Sequence, residues 1–494
     1  MNPNYYVACD LGAESGRVML GRLDAGRLTL EEIHRFPSAA VHVLGSLRWD
    51  VLRIFEELKT GFRILAQRNL PITSLSVDSW GVDYVLLNGV HPVLWPPFHY
   101  RDARTEETYD RLRADIGSEL IFAETGIQFM PINTIYHLAS DLEKSGPLLE
   151  YADCFLMIGD YFNYLLSGIP RVDESIASTT QLYNPRTRAW SNVLIERCGF
   201  PKKIFPQLVA PGTVLGRLTP ELASETGLSE IDVVATCSHD TGAAVAAVPA
   251  EKGDGWAYLS SGTWSLLGVE LPAPLINESV RKLNFTNEAG YGGTTRFLKN
   301  IVGLWLLQEC RRVWANQGVK HDYGDLIREA GRAEAFRSLI DPRAARFLKP
   351  GDMPQRIVSY CKETHQQGPE TPGEFVRCIL ESLALLYRLT IEEIQKATGQ
   401  SIHRLHIVGG GSQNTLLNEF AANATERQVV AGPAEATAIG NVLIQAVALG
   451  HVQSLAALRE VVRDSFSLQT FEPRTTAEWQ AAYQRFLRLE AFLR

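Results

Sequence analysis

The residue types that can do chemistry gather in five short stretches of this 494-residue chain. The first is Asp10-Leu11-Gly12-Ala13-Glu14-Ser15-Gly16-Arg17. A carboxylate at a strand end can hold a divalent cation through water. A turn rich in Gly and Ser offers backbone N–H groups to an anion, and Arg17 adds a cationic fork. The combination suits phosphates; a Gly-rich hairpin with a surface Arg is the plainer alternative. The second stretch, Ser260-Ser261-Gly262-Thr263-Trp264-Ser265, is another donor-lined turn made of ordinary turn residues. Its interest is that it echoes the first from the other half of the chain. Two such turns facing each other across a cleft would clamp both ends of a triphosphate.

The third stretch, Gly409-Gly410-Gly411, sits between a strand pattern and a helix pattern, where bare backbone would let a flat ring lie close. It lacks the G-x-G-x-x-G spacing, and no G-x-x-x-x-G-K-[ST] occurs, which disfavours dinucleotide and P-loop folds. The fourth, Ser238-His239-Asp240-Thr241, ends a strand and opens a small-residue helix. Asp240 is either a helix N-cap or a general base placed to take a proton from an alcohol. His239 reads as an orienting group rather than a metal ligand, because no second His stands at ligand spacing. The fifth joins Trp80-Gly81-Val82-Asp83-Tyr84 to Tyr100-Arg101-Asp102-Ala103-Arg104. Aromatic faces beside paired polar groups fit a sugar, and a core aromatic beside salt bridges would look the same.

These stretches need elements to position them. Tyr5–Asp10, Arg17–Leu23 and Arg27–Phe36 read as strands. Leu52, Phe55, Leu58, Phe62 and Leu65 then recur at helical spacing, with Asp50 as N-cap. Residues 231–236 form a strand running into Ser238-His239-Asp240-Thr241. After a polar joint at 249–255 the opening pattern returns, with strands at Trp256–Ser260 and Trp264–Glu270. Helices are expected over Ile301–Trp314, Glu374–Ala397 and Glu435–Gly450, with a strand at 405–408. Strands alternating with helices on both sides of the joint imply two α/β domains with a cleft between them.

Composition narrows the class. Lys+Arg 48 against Asp+Glu 56 leaves a net charge of −8, which argues against a protein that grips nucleic-acid backbones. With 45% hydrophobic residues the chain is not disordered. No apolar run approaches the ~18–20 residues of a membrane helix, and no secretory pattern opens the chain. The seven cysteines are scattered without C-x-x-C, so neither a disulfide framework nor a zinc site is indicated. The expectation is a protein of a reducing compartment, the cytoplasm.

Together, and in this order, the stretches resemble the FGGY carbohydrate kinases. The resemblance runs over essentially the whole chain: CDLGAESGRVMLGRL at 9–23, VDSWGVDYVLL at 77–87, YRDART at 100–105, GIQFMPINT at 126–134 and STTQL at 178–182. It continues with SHDT at 238–241, YLSSGTWSLLG at 258–268, LKNIVGLWLLQ at 298–308, LHIVGGGSQNTLLN at 405–418 and AGPAEATAIGN at 431–441. The resemblance implies a two-domain α/β protein of the actin/hexokinase-like ATPase fold, with its active site in the interdomain cleft. The N-terminal domain would span 1–248. The C-terminal domain would span 249–494, its last helices packing back on the first domain.

Carried over by matching position, the family implies that Ala13, Glu14, Ser15, Gly16 and Arg17 bind ATP phosphates, with Thr263, Gln308 and Gly410 on the nucleotide side. Gly81, His239, Asp240, Thr241 and Asn300 would contact the sugar, Asp240 as proton acceptor. Asp10 would be the carboxylate on the side of the Mg²⁺ that accompanies ATP. The implied reaction is ATP-dependent phosphorylation of a ketose, L-rhamnulose, at its C1 hydroxyl. The alternatives are fuculose or xylulose as substrate, or an actin-like ATPase without a sugar. The implied partners are ATP and a small ketose, with no nucleic acid and no membrane, and the protein would be a monomer or weak dimer. Two departures stand out. Glu14 puts a negative charge in the first phosphate loop, so its side chain is expected to point away from ATP. The clustered cysteines that some members carry beyond the Gly run are missing at Ala421–Thr425, so no disulfide is expected there.

Overall fold

The protein is described by a computed structural model covering residues 3–492 except 39, 252, 254 and 475. Two residues of the expected 249–255 joint, 252 and 254, therefore lie outside the described residues. In chain order, the elements that position the site begin with β1 (Asn4–Leu11), β2 (Ser15–Asp24), β3 (Arg27–Pro37) and α1 (Val51–Ala66). They continue with β4 (Ile72–Ser79), β5 (Thr213–Arg217), β6 (Asp232–Ala235) and α2 (Asp240–Ala246). Next come β7 (Trp256–Ser261), β8 (Trp264–Leu271), β9 (Thr295–Val302), α3 (Trp305–Asn316) and α4 (Pro372–Thr398). The series closes with β10 (Arg404–Val408), α5 (Thr415–Thr425), β11 (Gln428–Ala431), α6 (Ala436–Ala448) and β12 (Gln469–Phe471).

The chain divides into two compact units. One comprises Met1–Pro249, Glu270–Phe297 and Ala436–Ser465; the other comprises Ala250–Val269, Leu298–Glu435 and Phe466–Arg494. Residues 270–297 and 436–465, which fall beyond a cut at 248/249, thus cluster with the first unit.

In the first unit the strands lie in the order β3-β2-β1-β4-β6-β5. β1, β2 and β3 form an antiparallel meander, β4 runs parallel to β1 and β6 parallel to β4, and β5 closes the edge antiparallel. β1 is buried from Tyr6 to Leu11, as a central strand covered on both faces must be. One cover is α1. Asp50 caps it by accepting from the Arg53 N–H at 3.2 Å. Its buried stripe is Val51, Ile54, Leu58, Phe62 and Leu65, whereas Leu52 is 61% exposed. Two helical series share Leu58, Phe62 and Leu65 and differ only in the first turn; packing selected the one starting at Val51.

The other face is covered by α6, whose Asn441 and Gln445 interrupt an otherwise apolar stretch and are both fully buried. Each needs partners there. Gln445 donates to the Val7 carbonyl at 3.0 Å and accepts from Ser74 Oγ at 2.6 Å, while Asn441 donates to Asp78 Oδ2 at 2.6 Å. These bonds fix α6 against β1 and β4. Gly440 lies on the backbone of Ala243 in α2, with no room for a Cβ. The polar pair and the glycine explain why a segment so late in the chain belongs to the first unit.

The second sheet has seven strands, six of which lie in the order β9-β8-β7-β10-β11-β12; β8 and β9 cross the unit boundaries at 269/270 and 297/298, and the rest of these six belong to the second unit. β7 is antiparallel to β8 and parallel to β10, β10 is parallel to β11, and β12 is antiparallel at the edge. The first four positions, three strands in reverse chain order followed by one parallel to the third, repeat those of the first sheet, so the echo between the two donor-lined turns reflects a repeated opening. At the far edge the chain order differs, since β5 precedes β6 whereas β12 follows β11. Each turn joins the first two strands of its sheet. α4 opens with a capping box between Thr371 and Glu374.

The helix expected over Ile301–Trp314 begins later. Ile301 and Val302 finish β9, and α3 starts at Trp305. β-branched residues favour the ladder, and the amides of Gly303, Leu304 and Trp305 bond carbonyls of the Gly262–Thr263 turn instead of entering a helix. All seven cysteines are free thiols, and among the described residues no helix is long and apolar enough to cross a membrane.

Candidate active site

In the first unit the site grows from the carboxyl ends of β1 and β4. Asp10 and Asp78 are direct partners in that parallel pair, and Arg17 stands opposite Asp10 on β2 and forms an ion pair with it. The turn between β1 and β2 is fixed by its own backbone. Gly12 N–H donates to the Ser15 carbonyl at 3.0 Å, and Ser38 donates to the carbonyls of Gly12 through Oγ (2.7 Å) and of Glu14 through N–H (3.1 Å). Gly16 is pressed against the Phe36 ring, which excludes a side chain there. Ala13 and Ser15 are half-buried and Glu14 is exposed.

Asp78 was not singled out from the sequence. It is fully buried, Asn441 donates to its Oδ2, and its Oδ1 has no hydrogen-bond partner among the described residues. Burial pushes its carboxyl well above the ordinary range, and the charges of Asp10 and Asp240 push the same way. A carboxylate at the end of a buried central strand, beside Val77 and Ser79, was the available signal.

The Ser238–Thr241 segment is held in place from behind. Ser79 N–H donates to the Ser238 carbonyl at 2.9 Å, and Asp173 Oδ1 accepts from the N–H groups of Ser238 (3.2 Å) and Ser175 (2.9 Å). Ser175 Oγ accepts from the His239 N–H at 3.2 Å. His239, not Asp240, is the cap of α2, so the N-cap alternative for Asp240 falls away. Asp240 is the first helical residue. Its Oδ1 accepts from the Thr241 N–H at 2.6 Å and Thr241 Oγ1 at 3.1 Å, and His239 Nε2 lies 3.5 Å from the same oxygen. Oδ2 has no donor among the described residues, and the side chain is 30% exposed. Burial raises the Asp240 carboxyl, the neighbouring His239 opposes the rise, Asp10 adds to it, and the Thr241 donors oppose it. One oxygen is tied down and the other is open to a proton, which is what a general base needs.

Gly81 follows Trp80 in a turn packed on Thr179, where a Cβ would lie 2.9 Å from the Thr179 methyl, and Thr179 Oγ1 accepts the Val82 N–H at 3.1 Å. The aromatic and acidic residues around it differ from the expectation. Asp83 is 3% exposed, and its Oδ2 accepts from Trp49 Nε1 (2.5 Å), Trp80 Nε1 (2.8 Å) and the Tyr100 N–H (3.2 Å). Arg104 is buried on Asp141 and lies over Phe98. Asp83 and Trp80 are therefore an internal brace for the Gly81 turn rather than sugar-facing groups: two indole N–H donors require a buried acceptor.

That brace titrates. Burial lifts the Asp83 carboxyl to about 7, against the pull of the two indole hydrogen bonds. The folded state then keeps a proton that an unfolded Asp, with a pKa of about 4, has lost, so this group's contribution to stability falls as pH rises from about 4 to about 7. Asp83→Asn keeps an acceptor for the indoles and removes the titration. Urea midpoints across pH 4–8 should then show a slope made less negative by up to ~1.4 kcal/mol per pH unit. An unchanged slope would show that Asp83 does not carry the proton.

The nucleotide-side residues form their own group in the second unit. Thr263 sits in the β7–β8 turn; its carbonyl accepts from the N–H groups of Gly303 (3.2 Å) and Trp305 (3.1 Å), and Gln308 Nε2 donates to its Oγ1 at 3.3 Å. Gln308 Oε1 is buried without a hydrogen-bond partner among the described residues. The Gly run packs on the same turn. Gly409 has φ +83° and approaches the Ser261 carbonyl, and Gly411 is pressed on Ser261 Oγ. Gly410 between them is exposed, with nothing within 4 Å of the place a Cβ would take. Thr263, Gln308 and the Gly run thus meet around one hairpin end. Asn300 lies on β9, three residues before Gly303. The structure brings Asp10, the first loop, Gly81 and the His239–Thr241 segment to one unit, and places Thr263, Asn300, Gln308 and Gly410 in the other.

Among the described residues no group of three or more His, Cys, Asp or Glu could hold a metal ion by itself. The hard oxygens of Asp10, at the strand end beside the buried Asp78, would fit a Mg²⁺ that arrives with a nucleotide and keeps most of its waters.

The N-terminal domain of the FGGY family of carbohydrate kinases matches residues 5–247, and the C-terminal domain of the same family matches residues 257–449. The chain belongs to this family. A protein of Bacteroides thetaiotaomicron named rhamnulokinase is 44% identical over 486 residues, which cover 98% of this chain and 99% of the relative. Among solved structures, a gluconate kinase from Lactobacillus acidophilus superposes with a TM-score of 0.82 at 16% identity, covering 100% of this chain and 98% of its own. A ligand-bound xylulose kinase from the same organism gives a TM-score of 0.80 at 16% identity, covering 99% and 98%. The fold is that of the FGGY sugar kinases, as the resemblance implies.

Proposed function

We propose that the protein phosphorylates L-rhamnulose at its C1 hydroxyl with ATP, giving L-rhamnulose 1-phosphate and ADP. The observation that carries this reading is the Asp240 carboxylate, with Oδ1 fixed by Thr241 and Oδ2 without a donor among the described residues, in a chain 44% identical to a rhamnulokinase across its length. Phosphoryl transfer asks a protein for in-line positioning and charge neutralisation more than for covalent chemistry. In this reading Ala13–Arg17 and Thr263 hold the phosphates, Gln308 and Gly410 hold the rest of the nucleotide, and Gly81, His239, Thr241 and Asn300 orient the ketose. Asp240 Oδ2 takes the C1 hydroxyl proton as that oxygen attacks the γ-phosphorus and the bond to the ADP oxygen breaks. Asp10 would hold, through water, a Mg²⁺ carried in with ATP, which would supply charge neutralisation for the phosphates. The exposed Glu14 would keep its carboxylate away from them.

The reading also places the protein in the cytoplasm as a monomer or weak dimer; seven free thiols accord with a reducing compartment. The test is a panel of ketoses, L-rhamnulose, L-fuculose and D-xylulose, assayed for ADP release with ATP. L-Rhamnulose should give the highest kcat/KM. A higher value for another ketose would reassign the substrate, and ADP release indifferent to sugar would remove the kinase reading.

A further inference from the structure

His239 is gripped on the side away from Asp240 by two groups that no sequence pattern marks. Arg296 on β9 is fully buried, and its Nη2 lies 3.0 Å from His239 Nδ1. Glu288, on the strand Thr286–Ala289, puts Oε2 3.4 Å from the same Nδ1 and 3.1 Å from Arg296 Nη1. Arg296 Nε donates to the Ala289 carbonyl at 3.1 Å, which fixes the guanidinium plane. On the opposite edge of the ring, Nε2 faces Asp240 Oδ1 at 3.5 Å. All these residues belong to the first unit.

A guanidinium has donors and no acceptor, so at 3.0 Å Nδ1 must be the acceptor. A proton on Nδ1 would set two N–H groups against each other. A neutral imidazole with an accepting Nδ1 carries its hydrogen on Nε2. Glu288 alone would favour the reverse, because a carboxylate oxygen beside Nδ1 calls for an N–H there. Arg296 decides between the two by donating to Nδ1 and engaging Glu288 Oε2 at the same time.

We infer that the Arg296–Glu288 pair selects the Nε2–H tautomer of His239, and that these two are positioning residues acting through it on Asp240. With the hydrogen on Nε2, Oδ1 of Asp240 faces a third donor besides the Thr241 N–H and hydroxyl, and Oδ2 is left as the proton acceptor. In the other tautomer a bare Nε2 would face Oδ1, two acceptors would repel, and the carboxylate would lose its fixed orientation. The inference rests on the reading of Asp240 as base, but its decisive readout needs no substrate.

The test is NMR of the full chain labelled with ¹³C and ¹⁵N in histidine. The His239 ring signals would be assigned by their loss in His239→Gln, and the Cδ2 and ring nitrogen shifts distinguish the tautomers. The expected result is Nε2–H for the unsubstituted protein. Arg296→Met should shift His239 toward Nδ1–H and lower kcat by at least about tenfold, since a misplaced imidazole hydrogen disables the group it serves, with KM for ATP unchanged. Arg296→Lys keeps a donor and should restore both the signature and most of the turnover. Arg296→Met combined with Glu288→Gln removes both buried charges, so it keeps folding from depending on an unpaired ion. Its amide can donate to Nδ1 and should also restore Nε2–H. A wild-type His239 in the Nδ1–H form would overturn the inference. So would an Arg296→Met protein that is folded and slow yet keeps Nε2–H. Failure of the kinase reading would appear in the ketose panel and would leave these shifts in place.

Discussion

Asp240→Asn is expected to lower kcat by about 10²-fold or more, within the range for loss of a general base, while the protein stays folded. The geometry separates the two effects. Asn keeps an oxygen where Oδ1 accepts from the Thr241 N–H and hydroxyl at 2.6 and 3.1 Å, so the start of α2 should be undisturbed. What it loses is the capacity of the second atom to take a proton, because an amide nitrogen there is a donor. Steady-state kinetics with saturating ATP and ketose read the effect, and a urea midpoint close to that of the unsubstituted protein confirms the fold. Turnover within a few-fold of the parent would remove Asp240 from the role of base.

The second large effect is expected at Gly410. The three glycines at 409–411 are not equivalent. A Cβ at Gly409 or Gly411 would meet Ser261, and Gly409 also has φ +83°, so changes at either position test folding first. At Gly410 the Cβ points into open space. Gly410→Val should therefore leave the fold intact and act only on what that space receives. If the nucleotide lies against this stretch, the branched side chain takes its place and KM for ATP rises at least about tenfold, some 1.4 kcal/mol of lost binding, with KM for the ketose little changed. An unaltered KM for ATP would show that the nucleotide lies elsewhere.

Much of this arrangement was legible in the residues, and what was not has definite physical causes. The strand–turn–strand openings of both halves, the Ser238–Thr241 segment at the head of a small-residue helix and the Gly run after β10 were visible because turns and strand ends use a small set of residue types. Helix faces were less secure. The periodicity of α1 fits two registers, and only packing places Leu52 outside and Val51 inside. The start of α3 was misplaced because Ile301 and Val302 suit either state, and the Gly262–Thr263 carbonyls decided it.

Long-range partners were the least legible. Asn441 looked like a break in an apolar helix, but it donates to Asp78, 363 residues away in sequence. Asp83 looked like a ligand for sugar hydroxyls, but two indole N–H groups from separate segments claim it. Arg296 and Glu288 carried no local pattern, since their meaning comes from the His239 ring between them. Polar side chains with distant partners are read only when the fold has brought the partners together.

The most direct test of the account is to incubate the protein with ATP, Mg²⁺ and L-rhamnulose labelled with ¹³C at C1, and to follow ³¹P and ¹³C NMR together. The account predicts one ADP per ester formed and a phosphorus signal coupled to the labelled C1. ADP with only inorganic phosphate, or a phosphorus coupled to no C1 carbon, would contradict it.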